Sequence, residues 1–463
     1  MDQGGQLDNL SPILSDQVLV NGTAVPLTLT RDGRLRFLGQ RQRCLAVEKE
    51  VLGFAVEEGS RIRIKAVVEE REGICCCGNR GDLVRESFVF EPLSEDSLAL
   101  WSQKLRDYID SLETKYQLHA KEVAKTMDLS KYDGIVSVSG DGILVEVVNG
   151  LLEREDWSAA INMPIGMVPA GTGNGMVKSL LHAAGEPCCV SNAILAVIRG
   201  YKHSLDVATI LQGKTRFFSV LMLAWGLIAD IDIESEKYRW MGSARLDFYA
   251  IQRIFHLRHY NGRICFVPAP GFEDYGEPVS YHCKPTDEES PKQEESLKTQ
   301  QHGYLGSDVK LEDMHWRTIS GPFVSVWLHN VPWGSEDVMA APNAKFSDGY
   351  LDLIMVKGLP KLALLSMMSN MNDGSHVESP YVTYIKVKAF ILEPGTRVED
   401  ATKEGIIDSD GEVIARGNVT YKGNQKPLMA YDKVQITVDQ VIDSNSSCWN
   451  PICKKKKHRN VGL

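Results

Sequence analysis

"SVSGDGILVEVVNG", residues 137–150, is the stretch that decides the fold. A short apolar run ends in Gly140-Asp141-Gly142, and apolar residues at helical spacing follow. A strand, a glycine turn and a helix make the unit from which helix-covered parallel sheets are built. The glycines let backbone N–H groups come close to a ligand, and a helix N-terminus favours negative charge, so the turn suits a phosphate. Asp141 is out of place as a phosphate ligand, because like charges repel. It fits as the group that takes a proton from an attacking hydroxyl, or as a metal-associated carboxylate. Asp-Gly is equally a common turn pair, and this stretch alone leaves both readings open.

The design recurs in "IGMVPAGTGNG", residues 165–175, with Gly171, Gly173 and Gly175 in the turn. Ligands of open α/β sheets collect beyond the carboxyl ends of the strands, so two such turns on neighbouring strands face one crevice and together point to a nucleotide. Around them, helical patterns at 117–128, 143–154 and from 174 alternate with strand patterns at 134–139 and 165–170. Upstream, residues 16–95 read as strands and turns, closed by a helix over "SEDSLALWSQKLRDYIDSL". Ser94 is its N-cap, and Leu98, Trp101, Leu105, Tyr108 and Leu112 form one apolar face. Strands closed by a helix with a buried tryptophan resemble a pleckstrin-homology-like (PH-like) barrel. Beyond residue 203 strand patterns dominate again.

The predicted fold class is therefore α/β plus all-β. The expected layout is loose residues at 1–14, a PH-like domain at 15–112, a Rossmann-like parallel-sheet nucleotide domain at 113–204, and a β-rich sandwich at 205–440. The polar stretch 270–315, with "DEESPKQEESLKTQQHG", reads as a disordered insertion, and 441–463 as a basic tail. Of the 463 residues, 43% are hydrophobic and 24% charged, as in an ordinary soluble globular protein. The net charge of −10 argues against a general nucleic-acid binder. The N-terminus has neither a basic start nor an apolar core, and no apolar run reaches the roughly 20 residues that span a bilayer. The chain is expected in the cytoplasm or on a membrane from its cytosolic side, vacuolar or another endomembrane. Ten cysteines show no zinc spacing; Cys75-Cys76-Cys77 and Cys188-Cys189 read as free thiols.

"SGDGILVEVVNGLLER" and "PAGTGNG" are similar to the signatures of the diacylglycerol-kinase-type catalytic domain. "FSVLMLAWGLIADIDIESEKYRWMGSAR" narrows the resemblance to sphingosine (long-chain base) kinases of the plant form, over roughly residues 113–440. The resemblance implies an ATP- and Mg²⁺-dependent lipid kinase that phosphorylates the primary hydroxyl of a sphingoid base. It implies that Asp141 activates that hydroxyl, that Ser139, Gly140 and Gly142 line the substrate turn, and that Gly171, Thr172 and Gly173 cradle phosphates. Thr114, Glu146, Arg239, Arg245, Asp410, Gly411 and Glu412 are implied at the nucleotide. Asp232 is implied as the headgroup contact, with Glu236 nearby; no protein ligand is assigned to the Mg²⁺ that ATP carries.

The residues agree in part. Asp230, Asp232, Glu234 and Glu236 fall at every second position; if extended, they put four carboxylates on one face, suited to an ammonium headgroup or simply to water. "DSDGEV" also reads as a hairpin turn. Phe217, Leu221, Leu223, Ile251, Ile254, Phe255, Leu257 and Met339 are candidate walls for the acyl chain, or ordinary core.

The family opens this domain with a strand and an "NPxGG"-type phosphate loop, and this chain has no such stretch. The helix before Leu112 runs straight into "ETKYQLHA", as if one strand–loop–helix unit of roughly 30 residues were missing. The chain is thus expected to be a weak or inactive kinase. The alternative is a catalytically dead variant that binds lipid or a partner; a ceramide, diacylglycerol or NAD kinase fits less well. Lys454 to Lys457 and Arg459 suit an anionic membrane surface. The expected partners are a sphingoid base, a membrane met peripherally and a second copy of the chain, with no nucleic acid.

Overall fold

The computed structural model describes residues 11–38, 42–47, 51–57, 60–70, 82–110, 114–242, 244–279, 303–307, 311–417 and 427–439. The cysteine triplet at 75–77, the middle of the polar stretch at 280–302 and the basic tail lie outside them. Two compact units divide the chain, 1–119 and 120–463.

The first unit is one antiparallel sheet. Its strands are β1 (Pro12–Val20), β2 (Thr23–Thr30), β3 (Arg34–Leu38), β4 (Gln42–Ala46), β5 (Val51–Glu57), β6 (Arg61–Glu70) and β7 (Asp82–Pro92), in the order β4-β3-β2-β1-β7-β6-β5. The pattern of β2 shows why: Val25, Leu27 and Leu29 are buried while Ala24 and Pro26 face water, the period of two that a half-buried strand requires. Asn21 and Gly22, at φ 51° and 78°, turn β1 into β2 as a two-residue hairpin demands. Helix α1 (Glu95–Asp110) closes the unit. Ser94 caps it by accepting from the Ser97 N–H at 3.1 Å, and Trp101 and Leu105 sink into the core with Leu29, Ile64 and Phe90.

In the second unit, α2 (His119–Thr126), β8 (Ile135–Ser139), α3 (Asp141–Leu152), β9 (Ile165–Pro169), α4 (Gly175–Ala183) and α5 (Val190–Arg199) follow in order. β8 and β9 pair in parallel from Ile135↔Ile165 to Ser139↔Pro169. Among the described residues neither pairs with another strand, and Val136 and Val138 of β8 are exposed. Ala120 and Ala124 of α2 pack on Val147 and Leu151 of α3. Gly150 permits that approach, since a Cβ there would collide with the Lys121 carbonyl.

The rest is β-rich. The strands β10 (Val207–Gln212), β11 (Thr215–Ser219), β12 (Met222–Gly226), β13 (Tyr260–Pro268), β14 (Glu277–Pro278), β15 (Arg317–Ser320), β16 (Ser325–His329), β17 (Leu351–Val356), β18 (Val382–Arg397), β19 (Ile406–Ser409), β20 (Glu412–Arg416) and β21 (Val434–Asp439) form one antiparallel sheet. The central strands are buried on both faces. Leu223, Trp225, Val326, Leu328, Leu353 and Met355 point into one core. Ala224, Trp327, Ile354 and Val356, the alternate positions, point into a second core. The second core is completed by α6 (Leu227–Glu234), α7 (Ala244–Phe255) and α8 (Lys361–Ser369). The polar stretch is structured where described: β14 pairs with β15, and Tyr304 stacks on Trp157 at 4.7 Å.

One expectation is overturned. "ADIDIESE" is not extended; Leu227–Glu234 is helical. Gly226, at φ 89° and hard against the Val324 carbonyl, ends β12 and starts the turn. Carboxylates two apart on a helix point to opposite sides, so the acidic run divides. Asp230 and Glu234, four apart, share one side and meet Arg258 at 3.0 and 2.8 Å. The Tyr260 hydroxyl donates to Asp230 at 2.6 Å and the Tyr249 hydroxyl to Glu234. Asp232 and Glu236 take the other side. Arg253, buried, stands 3.7 Å from Asp230 as a second cation. Removing Arg258 leaves the two acids with Arg253 alone, and breaking such a buried pair costs about 3–5 kcal/mol. Arg258→Met should lower the thermal midpoint sharply, and adding Glu234→Gln to it, which leaves Asp230 matched to Arg253, should recover much of the loss.

Candidate active site

The two glycine turns meet back to back. Gly140 and Gly171 touch through their backbones, and a Cβ on either would enter the other loop. Asp141 is the first residue of α3, yet its carboxylate reaches across to α4. Its oxygens accept from the Gly175 N–H at 2.8 Å and the Met176 N–H at 3.0 Å. These are free donors of a helix N-terminus, which a carboxylate satisfies well. Burial pushes the Asp141 carboxyl up, against the pull of the Met176 and Gly175 N–H groups, and Asp232 and Glu336 add repulsion from within electrostatic reach. Each oxygen keeps a second lone pair, so Asp141 can still accept a proton from a hydroxyl.

Asn174 locks the second turn. At φ 55°, it accepts from the Gly171 N–H and donates to the Gly171 carbonyl, both at 2.9 Å, and donates to Glu336 at 2.6 Å. Neither Asn174 nor Glu336 stood out in the sequence; the signal was an asparagine between glycines, a residue type that tolerates positive φ.

The other expected site residues divide. Gly142 has open space where a Cβ would stand, and Thr172 is exposed, so both turns can be approached from outside. The Ser139 hydroxyl donates to the Gly140 carbonyl at 2.9 Å. Glu146 accepts from the Ala120 N–H at 3.0 Å at the start of α2. Thr114 lies in coil in the first unit, exposed. Arg239 is 78% exposed beside Glu236 at 3.4 Å. Arg245 is buried, donating to Ser235 Oγ at 2.8 Å and pairing with Glu236 at 3.2 Å. Asp410 and Gly411, at φ 55° and 83°, form the two-residue turn between β19 and β20; Glu412 follows, half-buried. The Asp410 carboxylate is fully used, accepting from the N–H groups of Val220, Leu221 and Met222 and from Ser219 Oγ. Burial lifts it to about 6 against those bonds. Its role here is to pin the turn between β11 and β12.

A small apolar cavity of about 10 Å³, room for about one water molecule, lies between the sheet and the helices, lined by Leu227, Ile228, Trp327, Ile354, Met367, Met371 and His376. His329 stacks edge-on to Trp327 at 5.1 Å, and burial drives it to about 3, keeping it neutral. The expected wall residues sit elsewhere. Phe217 and Leu223 belong to the first core, Leu221 packs with α3 and α4, Ile254 and Leu257 belong to the second core, and Ile251 and Phe255 are exposed. Met339, half-buried, donates its N–H to the Met371 carbonyl at 2.7 Å. Ile228 lines the cavity, and Asp232, one helical turn on, is on the same side of α6. Asp232 is only partly covered.

Residues 96–210 match the diacylglycerol kinase catalytic domain, and residues 307–428 match the YegS C-terminal NAD kinase beta sandwich-like domain. This is the two-part plan of a lipid-kinase catalytic region. Sphingosine kinase 1 and sphingosine kinase 2 of Arabidopsis thaliana are 57% and 58% identical to the chain, each over 92% of it and over 95% and 96% of their own lengths. Human sphingosine kinase 1 is 34% identical over 65% of the chain and 76% of its own length. The chain belongs to the sphingosine kinase family.

The contact between the turns can be tested with two glycines. Gly171→Ala should force the loops apart and cost about 1–3 kcal/mol, as overpacking does. Gly142→Ala, with nothing in its way, should leave the thermal midpoint unchanged.

Proposed function

We propose that the chain transfers the γ-phosphoryl group of ATP to the primary hydroxyl of a sphingoid base such as sphingosine, sphinganine or phytosphingosine. The observation that carries this reading is the placing of Asp232. A partly accessible carboxylate stands one helical turn beyond an apolar cavity, within electrostatic reach of Asp141. That arrangement suits an ammonium head set beside apolar side chains, which must part to admit a long tail because the cavity they line is only about 10 Å³; diacylglycerol has no charge for Asp232 to meet.

Asp141 accepts the hydroxyl proton, helped by a pKa raised through burial. The half-buried turn at Gly140–Gly142, with open space beside Gly142, and the more exposed turn at Gly171–Gly173 leave room for phosphates. Arg239, unburied, is free to swing toward them, whereas Arg245 supports Glu236. The Mg²⁺ that ATP brings neutralises phosphate charge, and the protein supplies position.

A second reading, weak or lost activity, has its own support. β8 has one strand neighbour among the described residues. The alignment to the first Arabidopsis relative is 469 positions long but takes in 92% of a 463-residue chain, so roughly forty positions face gaps in this chain. This fits a parallel-sheet nucleotide domain at 113–204 truncated at its start. A PH-like nature for residues 15–112 is supported by seven antiparallel strands closed by a helix with a buried tryptophan.

No described helix is long and apolar enough to cross a membrane. Peripheral contact is supported by exposed apolar residues along α7 and α8: Phe248, Ile251, Phe255 and Leu362, with Trp240 just before them. Replacing Ile251 and Phe255 with glutamate should weaken sedimentation with anionic vesicles without lowering the thermal midpoint.

The chain should be assayed for phosphate transfer from labelled ATP to sphinganine, beside a version carrying a family strand–loop–helix unit inserted after Leu112. The expected result is transfer at least tenfold faster with the unit present, since losing even one such donor costs about 10²-fold or more. Asp141→Asn should abolish the gain. No transfer by either version would overturn the proposal.

A further inference from the structure

Asp408 stands on β19 opposite Ala224 of β12 and is completely buried. Among the described residues, no N–H group and no hydroxyl reaches either of its oxygens. A carboxylate left that way is costly, and nothing in the fold of β19 needs one: its neighbours Ile406 and Ile407 are core. The group that faces it is the carboxyl of Asp232, across from α6. The pair is closed at Asp408 and open at Asp232, which is partly accessible.

The surrounding charges do not neutralise the pair. Asp410 and Glu412, from the turn and β20, and Asp232 itself press on Asp408 with the same sign. Glu236 and Asp141 do the same to Asp232. The cations on this side are Arg239, exposed beside Glu236, and Arg245, whose guanidinium is committed to Ser235, Glu236 and the Asp232 backbone carbonyl, the last at 3.4 Å. Two carboxyls in contact, one of them fully buried, are not both ionised; they hold one proton between them.

We infer that Asp408 is a positioning residue of the headgroup site: it stays protonated, donates its O–H to Asp232, and so fixes Asp232 as the ionised acceptor for the ammonium of the incoming base. This rests on the reading of Asp232 given above. The pair then carries one negative charge for one positive charge. A base whose nitrogen is acylated brings no charge, and leaves that carboxylate buried and unmatched.

The test is equilibrium binding of sphinganine, and of N-acetylsphinganine as the uncharged control, to the full chain and its variants, with no dependence on turnover. Wild type should bind sphinganine in preference to the control, and Asp232→Asn should erase that preference. Asp408→Ala, which loses the donor, should weaken sphinganine binding by about tenfold or more, as a lost bond to a charged group does. It should leave the control unchanged. Asp408→Asn keeps an N–H donor and should bind within about threefold of wild type. Both variants should melt no lower than wild type, because they remove a buried acid.

Wild-type binding with no preference for the charged base would overturn the reading of Asp232, and the inference with it. If that preference stands, three results overturn the inference alone: undiminished binding by Asp408→Ala, failure of Asp408→Asn to rescue, or equal loss for sphinganine and its acetylated control.

Discussion

One carboxylate holds the centre of this protein together. Asp141 begins one helix and caps another, so the turn after β8 and the turn after β9 cannot move independently. The constraint is mutual. The two loops touch through Gly140 and Gly171, which only glycines allow, and the carboxylate then lies where burial raises its pKa. The position that secures the fold is thus the one to which the proposed function assigns the hydroxyl proton. Asn174 and Glu336 extend the tie into the β-rich part, since Asn174 bonds Glu336 while the Glu336 N–H donates to the Gly173 carbonyl at 2.9 Å. The turn after β9 and the β-rich part are therefore joined by hydrogen bonds rather than by a free hinge.

Helix α6 and the turn after it carry two pairs of acids. One side is neutralised within the fold: Asp230 and Glu234 are matched by Arg258, Arg253 and two tyrosine hydroxyls. The other side is less closely matched, with Arg245 and the exposed Arg239 set against Asp232, Glu236 and Asp408. That imbalance is what the proposed ammonium headgroup would meet. Ile228, on the same side, lines the apolar cavity.

Much of this was legible in the sequence. The glycine turns, the alternating strands and helices around them, and the helix carrying Trp101 all follow local rules, and the structure places them within a few residues of where the pattern does. The acidic run misled because a carboxylate at every second position has the period of a strand. The helix wins through Gly226, which breaks β12, and through Arg258, which arrives from beyond α7 to neutralise half the charge. No local pattern announces either partner. The same holds for Asp410, which reads as a turn former and is one, but whose carboxylate is spent on three backbone N–H groups nearly two hundred residues away. The lining of the small apolar cavity was not legible because β12, β16 and β17 are buried on both faces, so hydrophobicity does not distinguish a cavity wall from core.

The most direct test of the whole account is to map the amides that Mg²⁺-ATP protects from hydrogen exchange in the full chain, in wild type and in Asp141→Asn. If the tied turns are the phosphate end of the site, protection in wild type will fall on residues 140–142 and 171–176, and the variant will lose it in both turns at once. Protection that falls elsewhere, or that survives in one turn when Asp141 is replaced, would contradict the account.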